Sequence, residues 1–516
     1  MTRKTTSETT SEATSENTGE TAGAPARATA RKITISPITR LEGHGKIEII
    51  LDDEGGVADC FFQVVELRGF EKFLEGRPAE ELPRITPKIC GVCPGAHHMA
   101  SAKAVDALFK VEPPPAARKL REFYLDAHIA HSHMLHFFAL GGPDFIPGAE
   151  AEPARRNLLG LVGEVGLELG RRVIAARGLC QKIQGLIAGH PIHPVAALPG
   201  GMSKALTEEE RETIVPWTEE LVAVAGLTLD LFRERVLGQP RLAEQITGDL
   251  YYHETHYAGL VDGAGRVNFY DGRVRVIDPA GEQIALFDGA DYLEHIAERV
   301  LPWSYLKVPY LRAKGYQGLR AGPASGIYRV NSLARLNVAS GMATPLADRA
   351  RDELYAFFGG APGAPVHHTL AFHWARLVEL LYVCEATREL CADPQITSPE
   401  VRILPTARPE EGIGVVEAAR GTLYHHYVSD SRGVIKKVNL IVATAQNNAA
   451  MGLSVKRAAE RLIRDGAADE VILDRVEMAF RAYDPCLACA THALPGKLPL
   501  QVELYRGGVP VRRMVR

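Results

Sequence analysis

Two Cys-x-x-Cys pairs lie at opposite ends of the chain, Cys90-Gly91-Val92-Cys93 near the front and Cys486-Leu487-Ala488-Cys489 near the back, each inside a polar run. Two thiolates three positions apart can turn toward one ion, and four saturate a soft, tetrahedral-type centre with sulfur. The pattern implies a metal site that ties the two ends of the fold together. Spacing alone leaves the metal open, a structural zinc held by four Cys being the commonest alternative. The other four cysteines, Cys60, Cys180, Cys384 and Cys391, lie in apolar stretches and read as small buried hydrophobes.

The elements that must carry these thiolates are legible from periodicity. From Lys32, the alternating runs KITIS, KIEIILDD and VADCFFQVV, broken by Asp-Asp-Glu-Gly-Gly, predict a small antiparallel sheet with a hairpin. After Pro94 the pattern becomes helical, so Cys90 and Cys93 occupy the loop that enters a helix, at the positive end of its dipole. Long amphipathic helices are expected over about 115–140, 155–188, 207–237 and 369–391, the third opened by the capping box Thr207-Glu208-Glu209-Glu210. VNFYDGRVRVIDPAGEQIALF reads as a small inserted sheet, and a second β-like patch covers about 413–445. The expected fold is mainly α with small β parts: a large helical-bundle core, an N-terminal antiparallel sheet and inserted small sheets. Residues 1–31, rich in Ser, Thr, Glu and Ala, read as a disordered tail.

At 516 residues, 46% hydrophobic and 24% charged, the chain can bury a large core. A formal net charge of −4, with Lys and Arg spread along the chain, gives no footprint for nucleic acid. No stretch approaches the roughly 20 apolar residues of a membrane span, and no basic-then-apolar leader opens the chain, so a cytoplasmic protein is expected. Eight cysteines are too sparse for a disulfide framework and suit a reducing compartment.

ITRLEGHGKIEI (38–49), RGFEKFLEGRP (68–78), KICGVCPGAHHMASAKA (88–104), EAARGTLYHHY (417–427) and DPCLACATHAL (484–494), with IHPVAALPGGMSKAL (192–206) between them, together resemble the large, catalytic subunit of [NiFe]-hydrogenases. The resemblance covers nearly the whole chain after residue 32. Gly-Phe-Glu at 69–71, His-Ser-His at 131–133 and the Ala-Leu that follows Cys-Ala-Thr-His are similar to the soluble cytoplasmic classes, including the bidirectional NAD-linked enzymes.

The resemblance implies a catalytic domain over 32–492 that splits dihydrogen reversibly and heterolytically. It implies that Cys90, Cys93, Cys486 and Cys489 hold nickel, with Cys93 and Cys489 also bridging to an iron that carries carbon monoxide and cyanide. Cys486 then resembles the thiolate that takes the proton, and Glu42 the carboxylate that relays it. Arg420 resembles a guanidinium over the open site, His97 a histidine that hydrogen-bonds a bridging thiolate, and Asp484 a carboxylate near Arg420. Glu71 and His492 are similar to ligands of a second, structural Mg or Fe site. A maturation protease is implied to cut after His492, releasing 493–516. No spare cysteine set would hold an iron–sulfur cluster, so the partner is an iron–sulfur small subunit in a hetero-oligomer, feeding a flavoprotein module that reduces NAD or a similar acceptor.

Two positions depart from the family pattern: Ala419 stands where a proline usually precedes the arginine, and Ser132 where other classes have an aspartate. His128, His131, His133 and His136 read as satisfied core histidines, and His367 and His368 as caps or surface groups. The alternatives are a catalytically silent relative from a respiratory complex, which would lack the cysteines, a zinc-stabilised scaffold, and a hydrogen sensor, which would lack the cleavable tail.

Overall fold

The computed structural model describes residues 31–360 and 364–491, and the backbone of two paired strands, Gln501–Arg506 and Val509–Val515. The expected tail before residue 31, His492, and the remainder of the expected maturation peptide lie outside the described residues.

The predicted N-terminal sheet forms from strands Lys32–Ile35, Gly45–Leu51 and Val57–Val64, all antiparallel. Alternation fixes its register: Ile47, Ile49 and Leu51 face the core, while Lys46, Glu48 and Ile50 stay partly exposed. Ile35 pairs with Ile47, so the sheet closes the loop 36–44 at both ends and holds Glu42 on a short tether.

The helix Pro94–Leu108 begins with proline at its first position, where the missing N–H costs nothing, and is buried along most of its length. A three-stranded sheet, Glu411–Ala418, Gly421–Ser429 and Ile435–Ile441, lies against it. Contact is backbone to backbone: a Cβ on Gly412 would meet Ala104 O at 2.2 Å, and one on Gly414 would meet Ala100 O at 2.1 Å. Ala418 pairs with Gly421, so Ala419 and Arg420 form a two-residue hairpin turn beside the start of the cysteine-bearing helix.

The bundle consists of Pro115–Leu135, Leu167–Ala188, Glu208–Phe232 and Ala371–Ala392. The reciprocal capping box of Thr207 and Glu210 is present. Three expectations are corrected. The helix expected over 155–188 is broken at Gly166 (φ +92°), and its first part, Leu158–Val165, is capped by Asn157. Those expected to reach 140 and 237 end in π turns, His136–Gly141 and Arg233–Leu237. VNFY is a turn, because Asn268 Oδ1 accepts the Tyr270 and Asp271 N–H groups; the inserted sheet is built instead from His256–Val261, Arg273–Ile277, Gln283–Asp288 and Tyr328–Arg329.

Buried ion clusters fasten distant segments. Arg481 donates to both oxygens of Asp144 (2.9 and 2.7 Å) and to Glu477 (2.6 Å), while Arg40 pairs with the same Asp144. Thr39 donates to Glu477 at 2.7 Å. The loop before Glu42 is thereby locked to the helix Glu470–Arg481 that leads into Cys486. Arg121 does the same for the 192–206 segment, bonding Asp106 (2.5 Å) and the carbonyls of Leu198 (2.9 Å) and Gly201 (2.8 Å).

His367, expected at the surface or in a cap, is instead buried against Tyr257 and Pro279 O. Burial lowers the pKa of His98, His133 and His367 from 6.5 to about 4. His98 uses both nitrogens in its neutral form, donating to Pro83 O and accepting from Ala197 N–H. The unfolded chain therefore binds protons below pH 6.5 that the fold takes up only near pH 4. The melting temperature is expected to hold steady above pH 7 and to fall steadily from pH 6.5 to 4, each histidine contributing up to about 3 kcal/mol of that loss. A flat profile across that window contradicts it.

Candidate metal centre

Cys90 follows the short turn Thr86–Ile89, and Cys93 is the N-cap of the Pro94 helix. Cys486 caps the short helix Leu487–Ala490, which contains Cys489. The two halves are joined by backbone: Glu42 N donates to Pro485 O (3.3 Å) and Leu487 N to Glu42 O (2.9 Å), a short parallel bridge between residues far apart in sequence. The four Sγ atoms lie within 4.8 Å of one another, all buried. Sγ–Sγ separations are 3.3 Å for Cys90 and Cys486, 2.8 Å for Cys93 and Cys489, and 2.9 Å for Cys486 and Cys489.

A cation would relieve the electrostatics of this cluster. Hydrogen bonds from the Cys486, Cys489 and Cys93 thiols hold Cys90 well below the usual thiol range, whereas burial and the adjoining sulfurs push Cys486 and Cys489 well above it. One thiolate is tolerated among the four; ionising the rest needs positive charge at the centre of the cluster. A soft or borderline transition-metal cation fits this donor set.

Around the sulfurs, Cys93, Cys486, Cys489, Ala96, His97, Ala418, Arg420, Leu423, Val442, Ala443 and Thr444 enclose a small, mostly apolar pocket. Glu42 Oε2 accepts from Cys486 Sγ at 3.0 Å and from Ala488 N at 3.1 Å. Burial, then the nearby Cys90 thiolate, raises its pKa. Arg420 is fixed by Asp484, with Nε donating to the Asp484 carbonyl (2.7 Å) and Nη2 to Oδ1 (3.0 Å). Burial opposes its charge, but Asp484 and the cysteine sulfurs outweigh that cost and keep it protonated. Its Nη1, with Asp484 Oδ2, Ser132 Oγ and His128 Nε2, is buried without a protein partner. At Arg420, which lines the pocket, the unpartnered Nη1 is available to a group the chain does not itself supply.

The structure thus brings Glu42, Cys90, Cys93, His97, Arg420, Asp484, Cys486 and Cys489 into one locus. His97 lines the pocket, and its Nδ1 pairs with His425 Nε2 at 3.0 Å, in a chain running on through Tyr427 to Ser101. Glu71 stands apart, half-buried, accepting from Leu440 N at 2.9 Å. Its segment is bound to the residue before His492, Arg68 N donating to Thr491 O at 2.8 Å. His128 and His133 each leave one ring nitrogen unpartnered, where satisfied core histidines were expected. Thr444, whose hydroxyl accepts from Cys486 N at 3.1 Å, Asn447 and Arg335 escaped sequence reasoning, because nothing in their local pattern marks them.

Comparison with known proteins follows the same lines. Residues 68–157 and 307–492 match a family described as nickel-dependent hydrogenase, and residues 32–67 one described as HoxL-like. The chain is similar to an iron-sulfur subunit of the F420-non-reducing hydrogenase of Archaeoglobus profundus, 48% identical over 92% of this chain and 97% of that one. It is similar also to the beta subunit of the NAD-reducing hydrogenase HoxS of Cupriavidus necator, 37% identical over 92% and 97%. Among solved structures it matches an NAD+-reducing [NiFe]-hydrogenase in the H2-reduced state, with a TM-score of 0.83 and 38% identity, covering 90% of this chain and all of that one.

The cluster geometry makes each sulfur indispensable. Cys93→Ser is expected to yield folded protein with less than about one tenth of the wild-type metal, measured by elemental analysis, because an alkoxide is a poor replacement for a soft thiolate ligand. Full metal content in that variant contradicts the four-sulfur site.

Proposed function

The chain belongs to the nickel-dependent hydrogenase family, as its catalytic large subunit, and from that premise we propose how its residues divide the work of reversible dihydrogen cleavage. Cys90, Cys93, Cys486 and Cys489 would hold nickel, with Cys93 and Cys489 shared with an iron bearing carbon monoxide and cyanide. That centre would supply the soft, electron-rich site at which dihydrogen is polarised toward hydride and proton. The apolar wall of Ala96, Ala418, Leu423, Val442 and Ala443 supports small diatomic ligands there.

Cys486 Sγ takes the proton, and Glu42 Oε2, 3.0 Å away, receives it. This contact is the observation that carries the reading. A carboxyl group whose pKa is raised by burial can hold the proton long enough to hand it outward. Arg420, which lines the pocket and keeps Nη1 unpartnered, stabilises negative charge there, while Asp484 orients it. His97 lends a hydrogen bond beside the bridging thiolates. Glu71 and His492 would hold a second ion, Mg or Fe, and a maturation protease would cut after His492 and release 493–516.

Electrons leave through a separate iron–sulfur small subunit. The remaining cysteines, Cys60, Cys180, Cys384 and Cys391, are buried and scattered, and among the described residues they form no second metal group. No helix among the described residues is long and apolar enough to cross a membrane; the cytoplasmic location is proposed from the likeness to the NAD-reducing hydrogenase. NAD, reached through a flavoprotein module, is the acceptor favoured by the likeness to the NAD+-reducing enzyme; the 48% identity to a subunit of an F420-non-reducing hydrogenase leaves a similar acceptor as the second reading. Assay of the purified complex with NAD and with an artificial dye separates the two.

Infrared spectra of the matured complex are expected to contain one carbonyl and two cyanide bands, and their absence in nickel-loaded protein would remove the bimetallic reading. Cys486→Ser abolishes dihydrogen activity in this scheme, so wild-type turnover by that variant would sink it. Glu42→Gln is expected to slow hydrogen–deuterium exchange with solvent by about 100-fold or more with nickel content intact, the usual scale of a lost proton-transfer group. Unchanged exchange takes Glu42 out of the relay.

A further inference from the structure

We propose that Arg335 is a positioning residue, which sets the pose of Arg420 by clamping the hairpin turn on which Arg420 stands. Arg335 belongs to the short helix Ser332–Val338 and is completely buried. Its guanidinium spends all five donors in one plane. Nε and Nη2 bond the two oxygens of Glu379 (2.5 and 2.7 Å), and Nη1 bonds Glu417 Oε2 (2.6 Å). The remaining two reach main-chain carbonyls, Nη1 to Ala418 O (3.1 Å) and Nη2 to Ala419 O (3.2 Å). Phe269 covers the guanidinium, its ring centroid 4.6 Å from the central carbon.

Both anchors are themselves immobile. Glu379 also meets His133 Nε2 at 3.1 Å. Glu417 Oε1 accepts from Thr422 Oγ1 (2.7 Å) and Leu260 N (2.9 Å), bridging the two strands of the hairpin. The carbonyls so held belong to the two residues before Arg420, so they orient the bond from which its side chain departs. Asp484 fixes the tip of that side chain, and Arg335 fixes its root. Ala419 has no ring to restrict φ, so the rigidity of the turn comes from the hydrogen-bonded clamp. Lysine cannot substitute: it offers three donors on a flexible stem in place of a planar fork.

The inference rests on the assignment of Arg420 to the reactive pocket, and the test separates the two. R335K, R335K/A419P and R420K are compared in the complete enzyme by hydrogen–deuterium exchange, nickel content and the infrared bands of the metal centre. R335K is expected to retain nickel, shift the bands and lose about 100-fold in exchange, the cost of displacing a catalytic group by about 1 Å. Adding A419P should recover about tenfold, since a proline ring restrains the turn that lysine no longer holds. Full exchange with unshifted bands in R335K overturns the clamp, as does a loss that A419P leaves untouched. Where R335K fails to load nickel, E417Q decides, because it keeps the arginine and weakens one anchor: bands and rate identical to the unsubstituted enzyme overturn the clamp. Full exchange in R420K would remove the assignment of Arg420 itself, whereas an inactive R420K beside an unchanged R335K removes only the clamp.

Discussion

Four sulfur atoms, drawn in pairs from segments 396 residues apart, are held within 4.8 Å of one another in a place closed to water. Without a cation their ionised forms repel, and without the surrounding fold nothing would bring them together. Much of the architecture answers this one constraint. The N-terminal sheet closes the Glu42 loop, a parallel bridge joins that loop to Pro485 and Leu487, and the buried Arg40–Asp144–Arg481 cluster prevents the two from separating. A helix N-terminus and a short helical turn then present the sulfurs in pairs.

Buried arginines recur as fasteners, and the reason is electrostatic. A desolvated guanidinium is costly unless its charge is met by carboxylates and carbonyls, and once met it is held in one orientation by several partners. Arg121, Arg335 and Arg481 each join segments distant in sequence through carboxylates and main-chain carbonyls. Such groups add little net stability compared with apolar packing of the same volume, but breaking one side leaves an uncompensated charge, typically at a cost of about 3–5 kcal/mol. Their value here is geometric, because they hold sulfur, carboxylate and guanidinium in fixed relation.

Against this background the incomplete hydrogen bonding around the pocket is conspicuous. Arg335 uses every donor it has, yet Arg420, on the turn that Arg335 holds and in the same buried environment, keeps Nη1 without a protein partner. Asp484 Oδ2, Ser132 Oγ and His128 Nε2 share that condition. Arg335 holds the turn with every donor engaged, whereas Arg420, which lines the pocket, keeps one free.

The sequence by itself determined the four cysteines that come together, their flanking motifs and the broad fold class, because each is encoded in short-range pattern: two Cys-x-x-Cys spacings, alternation from Lys32 onward, and the capping box at Thr207. It also placed Glu42, Arg420 and Asp484 in one family of motifs. What it left undetermined was set partly by local backbone and side-chain conformations and partly by contacts between residues distant in the chain. The helix break at Gly166 turned on a backbone conformation that local apolar periodicity does not register, and VNFY became a turn because one asparagine side chain took its N–H groups. His367 was drawn inside by Tyr257, a partner 110 residues away. Only the tertiary structure decided that Cys486 Sγ meets Glu42 Oε2, that Asp144 serves both Arg40 and Arg481, and that Arg335 reaches the turn beneath Arg420. A side chain's role there depends on which buried acceptors surround it, and that is fixed when the core closes.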